Sequence, residues 1–469
     1  MNKKILIILS IVVLILVVAF FSYQPIKEFL FKTVVVEEIN LVTTKLSTIP
    51  EGYNLREAFF NPNGQGVAYI VEKEDKHFVI FNNQKNGPYD QFLELSFSPS
   101  GRDIIYLAVK EDKYFIFFNN QKNGPYSYIP NFILSPDGKR FAYVSQRRER
   151  EYLILDGKEI GPYDYVGDFV FSPDGKRFAY VFSKLGQEES KYLVLDGKEI
   201  KLYNNRIGDF VFSPDGKRFA YILHKEENDY LVLDGKEIKL YNNRIGDFVF
   251  SPDGKRFAYV LYREESQYLV LDGKETGPYD RVQFLTFSPD NQSFAYVINK
   301  ENQQFVIIND QESGPYDNAS SLAFSPDGKR FAYRASRENN MYLVLDGKAI
   351  TGIFTSPFIF SPDSRKFAYT IFRTKERTMH LVLDDKEIGP YHRIDIFSLV
   401  FSPDSQYFAY VISNKENQQF VIINDQESGP YERVLTHPVF SSDNQYIIYG
   451  AQIGRELWWI ASKITNNGY

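Results

Sequence analysis

Residues 169–208 read FVFSPDGKRFAYVFSKLGQEESKYLVLDGKEIKLYNNRIG, and nearly the same residues follow again from Phe210 to Gly246. Looser copies fill almost all of the remaining chain. A fixed self-similar period of this length marks a solenoid, a propeller or an array. The proline of S-P-D-G sets the phase. It falls at Pro62, Pro99, Pro136, Pro173, Pro214, Pro252, Pro289, Pro326, Pro362 and Pro403, and Ser441-Ser442-Asp443-Asn444 is a copy without it. Successive prolines lie 36 to 41 residues apart, so the chain holds eleven units.

One unit shows why the period exists. Phe169-Val170-Phe171 is a short apolar strand, and Ser172-Pro173-Asp174-Gly175 is a turn. Pro presets φ at the second turn position, Ser and Asp bond back to local backbone, and Gly takes a conformation that other residues dislike. Arg177 to Val181 is a second strand, and a charged loop from Ser183 to Lys191 leads to a third, Tyr192 to Leu195. Asp196-Gly197 is a two-residue hairpin signal whose twist suits the flanking strands. A shorter, more polar strand from Lys198 to Tyr203 completes a four-stranded antiparallel meander.

In RFAYV, Phe and Tyr point to one face and Ala and Val to the other, because side chains alternate along a strand. Both faces are apolar, so both need cover, and the neighbouring unit supplies it. The motif S-P-D-G-K-R-F-A-Y resembles the repeat of TolB-type propellers, cousins of the WD type with Pro-Asp at the turn, over residues about 57 to 460. That resemblance implies an all-β propeller, a bacterial envelope setting and protein partners.

The chain has 469 residues, with 34 Tyr and 41 Phe that fall at repeat positions and so read as core. Its net charge is −6 with acidic and basic residues interleaved, which leaves no nucleic-acid footprint. With no Cys there are no disulfides, no thiolate metal sites and no lipid-modified N-terminal Cys.

The N-terminus gives an address. Lys3 and Lys4 precede an apolar run from Ile5 to Phe21, and no charge follows before Lys27, which leaves 22 uncharged residues. That is enough for a helix to cross a hydrocarbon core roughly 30 Å thick. Phe20, Phe21 and Tyr23 occupy the positions where a cleavable signal needs small residues. Residues 1–23 therefore read as an uncleaved transmembrane signal-anchor with its N-terminus cytoplasmic. Residues 24–40 read as a juxtamembrane connector, 41–464 as the propeller repeat region and 465–469 as a tail.

Glu38 to Thr48 has strand character, while the last unit stops after Leu457 to Ala461 without its hairpin turn. A propeller closes by pairing such ends within one blade, which removes exposed edges. Single propellers typically have 4–8 blades, so two smaller rings, one large ring and an open array all remain open.

Motifs of chemistry are sparse. The five histidines are scattered without zinc spacing, no G-x-S-x-G elbow occurs, and the D-G-K turns lack the alternating acids of a calcium loop. The expectation is no catalytic residue, no metal, no cofactor and no enzyme. The second-to-third loops vary in length and charge, and on the same rim the fourth-to-first connections carry arginines at one phase: Arg206, Arg244, Arg281, Arg393 and Arg433. Variable loops on a rigid scaffold are where binding resides. The expected function is a membrane-anchored, extracytoplasmic scaffold whose arginine rim docks a protein partner or an anionic envelope polymer. The alternatives are a glycan or peptide hydrolase working in the propeller cavity and a surface adhesin or carbohydrate binder.

Overall fold

The computed structural model describes residues 43–464 apart from 62–65, 99–100, 102, 119–120, 131, 185, 187–190, 203–206, 226–227, 240–243 and 355–357. The expected membrane helix, its connector and the tail lie outside the described residues. Among the described residues every regular element is a strand, and no helix is long and apolar enough to cross a membrane.

Each repeat folds as the sequence predicts. In residues 165–201 the strands Tyr165–Phe171, Phe178–Ser183, Lys191–Leu195 and Lys198–Lys201 pair in that order, all antiparallel. Ten such sheets occupy 54–89, 91–126, 132–163, 165–201, 207–239, 244–279, 281–316, 318–351, 359–391 and 393–431, and are numbered blades 1 to 10. Blade 11 spans 433–463 and takes its outer strand, Thr44–Thr48, from the start of the chain. Thr44 lies opposite Trp459 and Thr48 opposite Glu456. The closure expected of Glu38 to Thr48 is thus made by its described end.

Two turns define each blade. At Asp196-Gly197 both residues have positive φ (52° and 82°), which matches the strand twist. In the S-P-D-G turn, Gly175 N–H donates to Ser172 O, and Ser172 Oγ accepts from Arg177 N–H while donating to Asp174 Oδ1. That serine hydroxyl holds the Asp174 carboxyl below the usual carboxylate range.

Alternation then packs blade on blade. Ala142 and Val144 of blade 3 meet Phe171, Phe178 and Tyr180 of blade 4, and the same pairing of small face with aromatic face recurs around the molecule. Burying each such aromatic contributes about 1.5–3 kcal/mol. The last cluster joins the ends: Leu457 of blade 11 packs with Ile49, Val67, Tyr69 and Val71, and Phe60 stacks on Trp459 at 6.0 Å. Blade 11 therefore packs on blade 1. The eleven blades make one ring, and the alternatives of two smaller rings or an open array are corrected. The interfaces differ too little in sequence for any of them to mark a ring boundary.

The first strands of neighbouring blades approach one another, as Arg244–Phe250, Arg281–Phe287 and Asn318–Phe324 do in turn. They form the inner edge of the ring, and the polar fourth strands form its outside. The S-P-D-G and D-G-K turns share one rim, and the second-to-third loops share the other with the starts of the first strands.

Candidate functional site: an arginine rim and an inner wall of bulges

The rim is built on short turns. Several second-to-third loops that the sequence marks as variable are tight hairpins, with Glu74-Asp75, Glu111-Asp112, Arg148-Glu149 and Glu301-Asn302 all at positive φ. In blades 2, 7 and 8 an aspartate before the first strand pins the turn. Asp90, Asp280 and Asp317 accept the backbone N–H of Glu111, Glu301 and Glu338 at 2.6, 2.8 and 2.7 Å. The Lys76 ammonium, and then the Glu111 N–H, hold the Asp90 carboxyl below its usual range.

A second tie crosses between blades. The side-chain oxygens of Gln267, Gln304 and Gln419 accept the N–H of Val282, Ala319 and Val434 at 2.8, 2.6 and 2.6 Å. Each acceptor sits on a third strand and each donor is the second residue of the next blade's first strand. The start of the first strand is therefore fixed in place.

The sequence-predicted arginines sit at these starts. Arg281, Arg393 and Arg433 are each the first residue of the first strand, opposite Asn299, Ser413 and Gln452. All three are exposed, and among the described residues none has an ion-pair partner. Arg244 starts the corresponding strand of blade 6, but its side chain lies outside the description, as does all of Arg206. The acidic and basic side chains nearby find other partners. Arg263 pairs with Glu275 at 3.0 Å and Lys300 with Glu312 at 2.6 Å, both reaching outward to the fourth strand. The shared register of the arginines was legible in the repeat; their freedom from local pairing was not.

The inner wall is a feature that reading the repeat missed. In most first strands the pairing register slips partway along, between Leu55 and Glu57, Phe92 and Glu94, Val166 and Phe169, Ile245 and Phe248, and Gln283 and Thr286. A bulge of this kind bends the strand and re-aims a side chain. The fourth residue of the strand is exposed in each: Glu57, Glu94, Asp168, Asp247 and Phe284, with Ser321 in the same place in blade 8. Both faces of each sheet are covered by neighbouring blades, so a side chain exposed in mid-strand on the inner edge faces the central opening. In blade 10 the first strand is longer and slips between Asp395 and Val400, and Phe397 within the slip is 58% exposed. Glu94 is reached by solvent, yet the protein around it withdraws enough water to push its carboxyl above the usual range. The signal available in the sequence is the residue four places before the turn serine, which lies outside the apolar triplet that marks the strand.

No cluster of three or more His, Asp or Glu among the described residues is placed to hold a metal ion. A cavity of about 490 Å³ lies at the closure seam and is lined by Lys45, Ser47, Tyr69 and Lys85 among others.

No protein-family model matches the sequence, and no curated protein matches it. Solved structures similar to it are propellers. The propeller domain of the trilobed protease from Pyrococcus furiosus is 17% identical over 58% of this chain and 98% of that one, with a TM-score of 0.28. Puromycin hydrolase is 15% identical over 58% of this chain and 57% of its own, with a TM-score of 0.29. The dihydro-heme d1 dehydrogenase NirN is 12% identical over 67% and 78%, with a TM-score of 0.32. The chain thus spans just over half the length of the puromycin hydrolase it is similar to. The class established is a β-propeller of eleven blades. The expectation that the chain is not an enzyme is corrected: its structural neighbours include a hydrolase and a dehydrogenase, so a propeller without a recognisable motif gives no ground for excluding catalysis.

Proposed function

We propose that the protein is a binding scaffold, anchored by residues 1–23 in a membrane of the cell envelope, whose arginine-bearing rim docks an acidic partner. One observation carries the reading: Arg281, Arg393 and Arg433 stand exposed at one register with no ion-pair partner among the described residues. Guanidinium forks suit carboxylate or phosphate, and several around one opening focus positive potential despite the net charge of −6. The resemblance of the repeat to TolB-type propellers supports protein partners, and the 22-residue uncharged run supports the anchor.

The test is capture of an acidic probe, a poly-glutamate peptide, by the full chain in detergent. Replacing Arg281, Arg393 and Arg433 together by Gln is expected to weaken capture at low salt at least tenfold. Melting temperature should hardly change, because exposed charges contribute only about 0–1 kcal/mol each. Capture unaltered by the triple change means that the rim is a solvated face. The anchor predicts that the full chain stays in the membrane pellet after alkaline washing, and release of a trimmed soluble form would overturn it.

A further inference from the structure

Large apolar side chains that stay exposed in a folded protein concentrate at interaction sites. Here Leu93, Tyr165, Phe284, Phe397 and Val439, five of the ten that remain exposed among the described residues, lie on first strands. The outer strands carry the polar residues instead. Half of the large apolar side chains left uncovered among the described residues are therefore on the innermost strands.

The wall of the central opening carries both carboxylates and aromatic rings. In blades 1, 2, 4 and 6 the exposed fourth residue of the first strand is a carboxylate, Glu57, Glu94, Asp168 and Asp247, and the chain places Asp209 at the same phase in blade 5. In blade 8 it is Ser321 and in blade 7 the Phe284 ring, while Phe397 lies within the register slip of blade 10. The Phe284 backbone has φ +58°, a conformation that bulky residues rarely adopt. Holding a benzyl side chain there costs energy that nothing in the packing of the blade repays, since the ring is exposed. Such strain gathers at ligand-binding positions.

Glu94, Asp168 and Asp247 have no ion-pair partner among the described residues. Their register places them on an arc of the inner wall from blade 2 to blade 6, and Phe284 follows on blade 7.

We propose that the central opening binds a polypeptide segment in which Lys or Arg alternates with apolar residues. Its cationic side chains pair with Glu94, Asp168 and Asp247, and its apolar side chains pack on Phe284 and Phe397. Charge complementarity selects this occupant. An acidic segment would meet the carboxylate arc, and a neutral apolar one would leave those carboxylates desolvated without a counter-charge. The site is separate from the arginine rim in both residues and ligand charge, so each proposal stands or falls without the other.

The probe is a fluorescein-labelled peptide of alternating Lys and Leu, followed by fluorescence anisotropy with the full chain in detergent. Saturable binding that weakens as salt rises is expected. Glu94→Gln, Asp168→Asn and Asp247→Asn together are expected to lower affinity at least tenfold, and so are Phe284→Ser with Phe397→Ser. A control that removes the same charge from the outside, Glu199→Gln with Glu275→Gln and Glu312→Gln, should change affinity less than twofold. The rim triple variant should retain binding. Thermal melts show that each variant is folded, and Phe397→Trp gives a second readout through a fluorescence shift on adding peptide. Equal losses for the inner and outer carboxylate sets would overturn the proposal, because they mean attraction to net charge alone. Equal affinity for a Ser–Leu peptide would overturn it, as would preference for a Glu–Leu peptide.

Discussion

Arg177 shows how much a repeated residue does beyond its own turn. Its Nε donates to Asp196 Oδ2 at 2.8 Å, its Nη1 donates to the carbonyls of Gly216 and Lys217 in the next blade, and its guanidinium lies 4.9 Å from the centre of the Phe212 ring. Arg218 repeats the set with Asp234, Gly254, Lys255 and Phe250. The turn is thus an inter-blade joint as well as a reversal of the chain. The glycines explain themselves in the same place. Gly175, Gly216 and Gly254 have φ of 71°, 72° and 70°, and a Cβ on Gly216 would lie 2.9 Å from Asp174 Oδ1 of the preceding blade. Where another residue stands at this position it uses the space: Ser364 Oγ accepts the Asp327 N–H at 3.0 Å. Gly216→Val is expected to cost at least ~2 kcal/mol through backbone conformation and contact together. Lys217→Val beside it should stay within about 0.5 kcal/mol. Chemical denaturation of the two variants measures the difference, and equal midpoints would refute the joint.

At the scale of elements, the closing strand decides whether the ring is a ring. Thr44–Thr48 is the outer strand of blade 11, and its neighbourhood is reinforced: Ala461 N–H donates to Thr43 Oγ1 at 3.1 Å, and Arg455 Nη2 donates to Ile49 O at 2.9 Å. Deleting Thr44–Thr48 tests this. Amide exchange at Leu457–Ala461 should lose protection equivalent to at least ~2 kcal/mol, since an unpaired edge opens readily. Protection in blades 5 and 6, far from the seam, should change much less. Unchanged protection at Leu457–Ala461 would show that closure does not depend on this strand.

At the scale of the molecule, stability is close to a sum over repeated interfaces, as in other repeat proteins. The sequence NNRIGDFVFSPDGKRFAY occurs at both 204–221 and 242–259, so removing 207–244 joins Arg206 to Ile245 and deletes one blade without altering any joint. The shortened chain is expected to close as a ring of ten. Small-angle scattering should show a smaller closed particle, and the exchange protection of Glu456–Lys463 should be kept. An extended particle with an unprotected seam would mean that eleven is the only number these interfaces accept.

The repeat itself determined the strands, the turns and which side of each sheet carries rings, because these follow from φ preferences and from alternation within about forty residues. It also placed Arg281, Arg393 and Arg433 at one phase and showed a spare strand at one end and a missing one at the other. Three things were decided only by the tertiary structure. The number of rings depends on a small rotation summed over many interfaces, and no single unit records that sum. That Arg281, Arg393 and Arg433 make no ion pair among the described residues depends on where Glu275 and Glu312 reach, which is outward across the sheet rather than along the chain. The inner wall depends on a register slip in the first strand, which turns Glu94, Asp168 and Phe284 out of the alternation by which a sequence is read and toward an axis that exists only once eleven blades have met around it.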